Sequence, residues 1–176
     1  VPDVERTAAW LAENLPAESG AALIHNDFKY DNLVLAPGDL TEIVAVLDWE
    51  MATVGDPLMD LGSSLAYWID PDDPEELRSP AVPHLTALPG NLRRGELVAR
   101  YLETTGRDPG SAGDPVFYYA YGQLKLAGIV QQIHYRFRQG ATADSRFAAL
   151  GGLVRACGQA ARLAIEKGRI DRLTLA

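Results

Sequence analysis

His25, Asp27, Lys29 and Asn32 fall within one short polar stretch, "IHNDFKYDNLVL" (Ile24 to Leu35), and Asp48 closes the apolar run that follows it. A loop at such a place can aim its side chains at one point. Asp27 can accept a proton from a hydroxyl. Asn32 offers a neutral oxygen and Asp48 a charged one. Magnesium takes such oxygen donors, usually few of them, and fills its shell with water and substrate phosphates. Lys29 supplies a positive charge that could meet phosphate oxygens. A base, a cation and two metal ligands form a set for phosphoryl transfer, because that chemistry rests on positioning and charge neutralisation. A metal-dependent phosphohydrolase also uses Asp and Asn, but two-metal hydrolases usually add His or further carboxylates at ligand spacing. His84 and His134 are far apart and show no such spacing.

The elements that must position these residues can be read from pattern. Val4 to Leu15 has helical apolar spacing and is closed by Pro16. Ala21 to Ile24 reads as a short buried strand, Leu33 to Leu35 as a second, and Pro37-Gly38 as a turn. The β-branched run Glu42 to Asp48 is a third strand. Beyond it the pattern is helical. Asp56-Pro57 predicts an N-cap and a helix running to Tyr67 or Trp68. Asp70 to Gly90 is proline-rich and reads as loop, and its acidic run of Asp72, Asp73, Glu75 and Glu76 as solvated. Leu92 to Thr104 is helical, with Gly106 as its stop. Asp114-Pro115 repeats the cap. Val116, Ala120, Leu124, Ala127, Val130, Ile133 and Phe137 follow one face of a long helix. Leu150, Leu153, Cys157, Ala160 and Ala164 mark a last helix, ended near Gly168. Tyr118, Tyr119 and Tyr121 read as packing residues and Glu50 as a surface one. The expected fold is α+β, mainly α: a short β-hairpin insert carrying the loop, on a helical body.

At 176 residues the chain suits a single domain with a core of its own. Its net charge of −8 argues against a generic nucleic-acid binder. No apolar run reaches the length of a membrane span. Cys157 is the sole cysteine, which excludes an internal disulfide and fits a reducing cytoplasm. The chain opens Val-Pro without a Met, which points to a fragment. Oligomeric state has no signature here.

The segment "HNDFKYDN" fits His-x-Asp-x-x-x-x-Asn, and "VLDWEMATVGDPLMDLG" (Val46 to Gly62) follows it. Together they resemble the signature of the aminoglycoside phosphotransferase and choline kinase-like family, of kinase-like fold. Within it the chain is most similar to the phosphotransferase domains related to those fused to acyl-CoA dehydrogenases. The resemblance is strong over His25 to Trp68 and looser beyond. It implies that Asp27 is the catalytic base, that Asn32 and Asp48 hold Mg²⁺, and that Lys29 approaches the transferred phosphate. His25 would brace the loop, and Asp60 would hydrogen-bond it and hold its shape. Asp56 would cap its helix. The implied donor is ATP or another nucleoside triphosphate, and the acceptor is a hydroxyl of an aminoglycoside-like or hydroxyacyl-type small molecule.

There are departures from the family pattern. Trp49-Glu50 follows Asp48 where protein kinases carry Phe-Gly, as is common in the small-molecule branch. Asn26 stands where many relatives carry Gly. The chain has three lysines, Lys29, Lys125 and Lys167, so none precedes the loop, and no Gly-rich strand turn stands there either. The expectation is a C-terminal lobe, residues 1–176, whose N-terminal nucleotide lobe is a missing partner and which is inactive by itself. A non-catalytic kinase-like binding module is the alternative that this absence keeps open.

Overall fold

The structure, a computed structural model, describes residues 1–17, 19–78, 84–108, 113–142 and 144–174, with Glu76 described by its backbone alone. Helix α1 (Pro2–Glu13) opens the chain, with Pro at its first position and Asp3 and Glu5 in its first turn. A proline is compatible with that position because the N–H it lacks would have no partner in the helix. The helix therefore starts two residues before the expected Val4.

Four short strands follow: β1 (Ala22–Ile24), β2 (Leu33–Ala36), β3 (Asp39–Val46) and β4 (Thr53–Gly55). They form two separate antiparallel ribbons, β1 with β4 and β2 with β3. This corrects the single-hairpin expectation. The polar loop does not lie within a hairpin but bridges two ribbons. Strand β4 has no clear sequence signal, because Thr-Val-Gly is too short to show a period. Strand β1 is also not the buried strand expected. Ile24 is buried, whereas Ala22 and Leu23 are exposed, since a two-stranded ribbon leaves one face open. The β2–β3 ribbon likewise exposes Val34, Leu35, Leu40, Ile43 and Val44.

The helical body comprises α2 (Pro57–Leu65), α3 (Arg94–Thr105), α4 (Pro115–Arg138) and α5 (Leu150–Lys167). Both expected aspartate caps form. Asp56 accepts from the Leu58 N–H at 2.8 Å, and Asp114 from the Val116 N–H at 2.9 Å. Gly106 and Gly168 end α3 and α5 in the left-handed conformation that glycine adopts without penalty. Helix α2 stops at Leu65, short of the expected Tyr67, and this frees Tyr67 and Trp68 to turn toward the polar loop. Cys157 packs with Leu126, Ala127, Val130, Leu153 and Val154 as a core residue, and burial pushes its thiol up to about 12. Tyr118 and Tyr119 are buried and Tyr121 half-buried, as packing residues. Among the described residues no helix is long and apolar enough to cross a membrane.

In the acidic loop Asp72 and Glu75 are exposed as expected, but Asp73 departs from expectation. Asp73 is not solvated but forms a two-point pair with Arg94, at 2.6 Å from each Nη. Arg94 and Asp70 are both fully buried. The Arg94 guanidinium also reaches the carbonyls of Trp68 and Ile170 and lies over the Tyr119 ring at 5.1 Å. Burial raises the Asp70 carboxyl and Arg94 opposes that rise. A buried charge is tolerable only when paired and hydrogen-bonded, so the loop is tied down rather than free. Asp72 pairs with Arg93 at 2.7 Å. Residues 79–83 of this stretch, and the side chain of Glu76, lie outside the described residues.

Helices α2 and α4 cross at two glycines. A Cβ on Gly122 would lie 1.9 Å from the Gly62 carbonyl oxygen, and one on Gly62 would lie 2.2 Å from that of Tyr118. Gly122→Ala must force the helices apart, and overpacking of this kind costs about 1–3 kcal/mol or more. The expected result is a clear loss of stability in urea unfolding; an unchanged midpoint would contradict this crossing.

Candidate functional site

The loop from Ile24 to Asn32 is fixed at its entrance by α2. Asp60, in the first turn of that helix, accepts the N–H of His25 at 2.8 Å and that of Asn26 at 2.7 Å, one on each carboxylate oxygen. The His25 ring, 3% exposed, braces the other side. Its Nε2 donates to the Leu47 carbonyl at 2.7 Å, and its Nδ1 accepts the Asp27 N–H at 3.2 Å. These partners assign the proton to Nε2. Trp49 packs on the same ring with centroids 4.7 Å apart.

Asn26 has a positive φ of 66°, a conformation asparagine tolerates better than most residues. Its side chain also makes contacts that glycine could not. Its Nδ2 donates to the Met51 carbonyl, while Lys125 of α4 donates to both its carbonyl and its Oδ1. Lys125 also reaches Ser63 Oγ at 3.2 Å. Burial lowers the Lys125 ammonium pKa, and the charges of Asp60 and Asp27 oppose this. Sequence reasoning missed Lys125, although a lone lysine inside the apolar run "QLKLAG" was a usable signal.

Asp27 is half-buried, and besides its N–H three of its oxygens are engaged. Its Oδ2 accepts from Lys29 Nζ at 2.7 Å and from Asn32 Nδ2 at 3.2 Å. Its Oδ1 accepts the Tyr67 hydroxyl at 3.1 Å. Its carbonyl accepts Asn32 Nδ2 at 2.8 Å. The amide nitrogen of Asn32 is thus committed to Asp27, and its Oδ1 is the atom it can offer to a cation. Tyr67 has no counterpart in the sequence reading, because no spacing rule connects it to a loop forty residues upstream.

Asp48 lies just past the end of β3, exposed and with a positive φ of 64°. Leu33 is paired with Val46, and the Leu47 N–H donates to the Asn32 carbonyl at 2.8 Å. Asn32 and Asp48 therefore flank the same end of the β2–β3 ribbon. They supply an amide and a carboxylate oxygen, the hard donors that suit Mg²⁺. Among the described residues no group of three or more His, Cys, Asp or Glu is placed to hold a metal by itself. The donor set fits a cation shared with another ligand. Glu50 is exposed beside it.

A cavity of about 500 Å³ opens next to Asp27. Its wall is chiefly apolar and aromatic, with Phe28, Tyr30, Leu61, Tyr67, Trp68 and Tyr101 among its lining. Lys29 and Tyr67 face this cavity and touch Asp27, so they form the partition between the two.

Residues 1–105 match the model of the phosphotransferase enzyme family. Acyl-CoA dehydrogenase family member 11 of Mus musculus is 37% identical over 142 residues, covering 80% of this chain and 18% of the relative. Acyl-CoA dehydrogenase family member 10 of the same species is 35% identical over 137 residues, covering 77% and 12%. The crystal structure of a "putative aminoglycoside phosphotransferase" from Ralstonia eutropha JMP134 superposes with a TM-score of 0.73 at 27% identity. It covers 92% of this chain and 49% of the solved one. The chain thus spans less than a fifth of these curated relatives and about half of the solved protein.

Asp60→Ala would leave the N–H groups of His25 and Asn26 without their acceptor. An unsatisfied buried donor costs about 1–3 kcal/mol, so a loss of at least about 2 kcal/mol is expected in urea unfolding. A loss below about 0.5 kcal/mol would show that Asp60 does not hold the loop.

Proposed function

The chain belongs to the phosphotransferase enzyme family, and from that premise we propose that it supplies the acceptor-activating and metal-holding part of an ATP-dependent kinase for a small hydroxylated molecule. The observation that carries this reading is the convergence of Lys29, Asn32 and Tyr67 on the carboxylate of Asp27, where Lys29 and Tyr67 also line a cavity. In this reading Asp27 accepts the acceptor's hydroxyl proton as that oxygen bonds to the γ-phosphorus. The bridging P–O bond breaks and ADP leaves. Lys29, paired with Asp27, is close enough to the reacting atoms to offset charge on the transferred group. His25 and Asp60 hold the loop and take no part in proton transfer.

Asn32 and Asp48 would hold Mg²⁺ together with the donor's phosphates. The metal would neutralise phosphate charge, which is most of what this chemistry requires. We assign nucleotide grip to an N-terminal lobe outside residues 1–176, since no lysine and no Gly-rich turn precedes Asp27. The exposed apolar side chains of the β2–β3 ribbon, Leu40, Ile43 and Val44 among them, support a docking partner on that side. The intact set of Asp27, Asn32 and Asp48 favours an enzyme over a silent module. The lack of a carboxylate–histidine cluster among the described residues weighs against a two-metal phosphohydrolase.

Between the two acceptor classes, the cavity favours the hydroxyacyl type. A polycation needs several free carboxylates, but of the two that line the cavity Asp60 is committed to the loop, which leaves Asp31 alone, and Asp72 and Asp73, outside the lining, are paired with Arg93 and Arg94. The aromatic wall suits an apolar chain better. In the full-length protein, a hydroxyacyl compound is expected to raise ADP release above the rate with water alone and kanamycin is not; the reverse would overturn this preference. In the same assay Asp27→Asn should retain ATP binding and lose roughly 10²–10⁴-fold in turnover. Near-normal turnover in the folded variant would reject Asp27 as base.

A further inference from the structure

Resting on the reading of Asp27 as base, we propose that Tyr67 positions the acceptor: its phenol fixes Oδ1 of Asp27, and the other acceptor site on Oδ1 is the seat of the incoming hydroxyl. An ionised carboxylate has about four acceptor sites, two on each oxygen. Lys29 and Asn32 occupy Oδ2, at 2.7 and 3.2 Å. Tyr67 takes one place on Oδ1, at 3.1 Å. The remaining place is therefore on Oδ1, beside the phenol.

The cavity lies on the other side of two of these donors. Lys29 and Tyr67 line it and Asp27 stands behind them. In this proposal a hydroxyl held in the cavity meets Asp27 between Lys29 and Tyr67, the two residues that line the cavity and touch the carboxylate. Tyr67 is itself held firmly. Its N–H donates to the Ser64 carbonyl at 3.1 Å, and the next residue, Trp68, donates through its indole to the Leu92 carbonyl at 2.8 Å. Lys29 Nζ lies over the Tyr67 ring, 4.9 Å from its centroid, so ring, ammonium and carboxylate close a triangle. Burial, aided by the charge of Asp27, raises the phenol's pKa, so Tyr67 stays a donor through the neutral range and does not compete for the acceptor's proton.

Tyr67→Phe removes the hydroxyl and keeps the ring, and so separates positioning from wall contact. The first readout is ADP release from Mg-ATP by the full-length protein, with water as the acceptor. The expected result is kcat lower by about 10- to 100-fold, the effect of losing one hydrogen bond to a charged group, with KM for ATP and the melting temperature unchanged. Unchanged kcat, with Asp27→Asn inactive, would overturn this inference alone. An active Asp27→Asn would instead overturn the base assignment. The second readout needs no turnover and no variant: a crystal structure of the unmodified protein soaked with 1-octanol. Its hydroxyl is expected within hydrogen-bond distance of Asp27 Oδ1, with its chain in the cavity. A hydroxyl on Oδ2 or away from Asp27, or a cavity without octanol, would refute the proposal.

Discussion

Two consecutive backbone N–H groups, those of His25 and Asn26, point at the one carboxylate of Asp60. Consecutive N–H groups diverge in an extended chain, so this convergence requires the backbone to turn at once after β1. The positive φ of Asn26 is that turn. Asp60 is placed to impose it because Asp56 and Pro57 start α2 where they do, and a carboxylate in a helix's first turn is favoured by the helix dipole. The cap of one helix thus sets the shape of a loop more than thirty residues earlier.

Once that turn is made, the remaining contacts follow from it. The His25 ring is carried inward, where its two nitrogens join Leu47 to Asp27. The Asn26 carbonyl turns toward Lys125, which links the loop to α4. Asp27 then faces Lys29, Asn32 and Tyr67 rather than solvent. The body beneath is held as tightly. Gly62 and Gly122 let α2 and α4 approach at backbone distance, and Arg94 fastens the loop after Trp68 to α3 and to the tail at Ile170. Both features keep Tyr67 and Trp68 at a fixed height above the loop. A site whose chemistry depends on alignment gains from this rigidity, since small misplacements are costly.

Much of this was legible in the sequence. Asp56-Pro57, Asp114-Pro115, Gly106 and Gly168 marked helix ends by local chemistry, and those marks held. The polar loop stood out because ionisable residues interrupt two apolar runs. What escaped was non-local. Asp73 looked solvated because its neighbours are acidic, yet Arg94, some twenty residues on, buries it. Strand β4 forms only because β1 offers a partner. Tyr67 meets Asp27 because α2 ends early, and no periodicity carries that information. The Asn at position 26, where many relatives carry Gly, makes side-chain contacts with Met51 and Lys125, which come near it only in the fold.

The central claim is that Asn32 and Asp48, at one end of the β2–β3 ribbon, share a metal with a nucleotide's phosphates while Asp27 stays free to receive a hydroxyl. A crystal structure of the full-length protein with Mg²⁺ and a non-hydrolysable ATP analogue tests it most directly. The account predicts Asn32 Oδ1 and an Asp48 carboxylate oxygen at about 2.1 Å from the metal, with phosphate oxygens completing the shell and Asp27 outside it. A metal bound away from both residues, or coordinated by Asp27, would contradict the account.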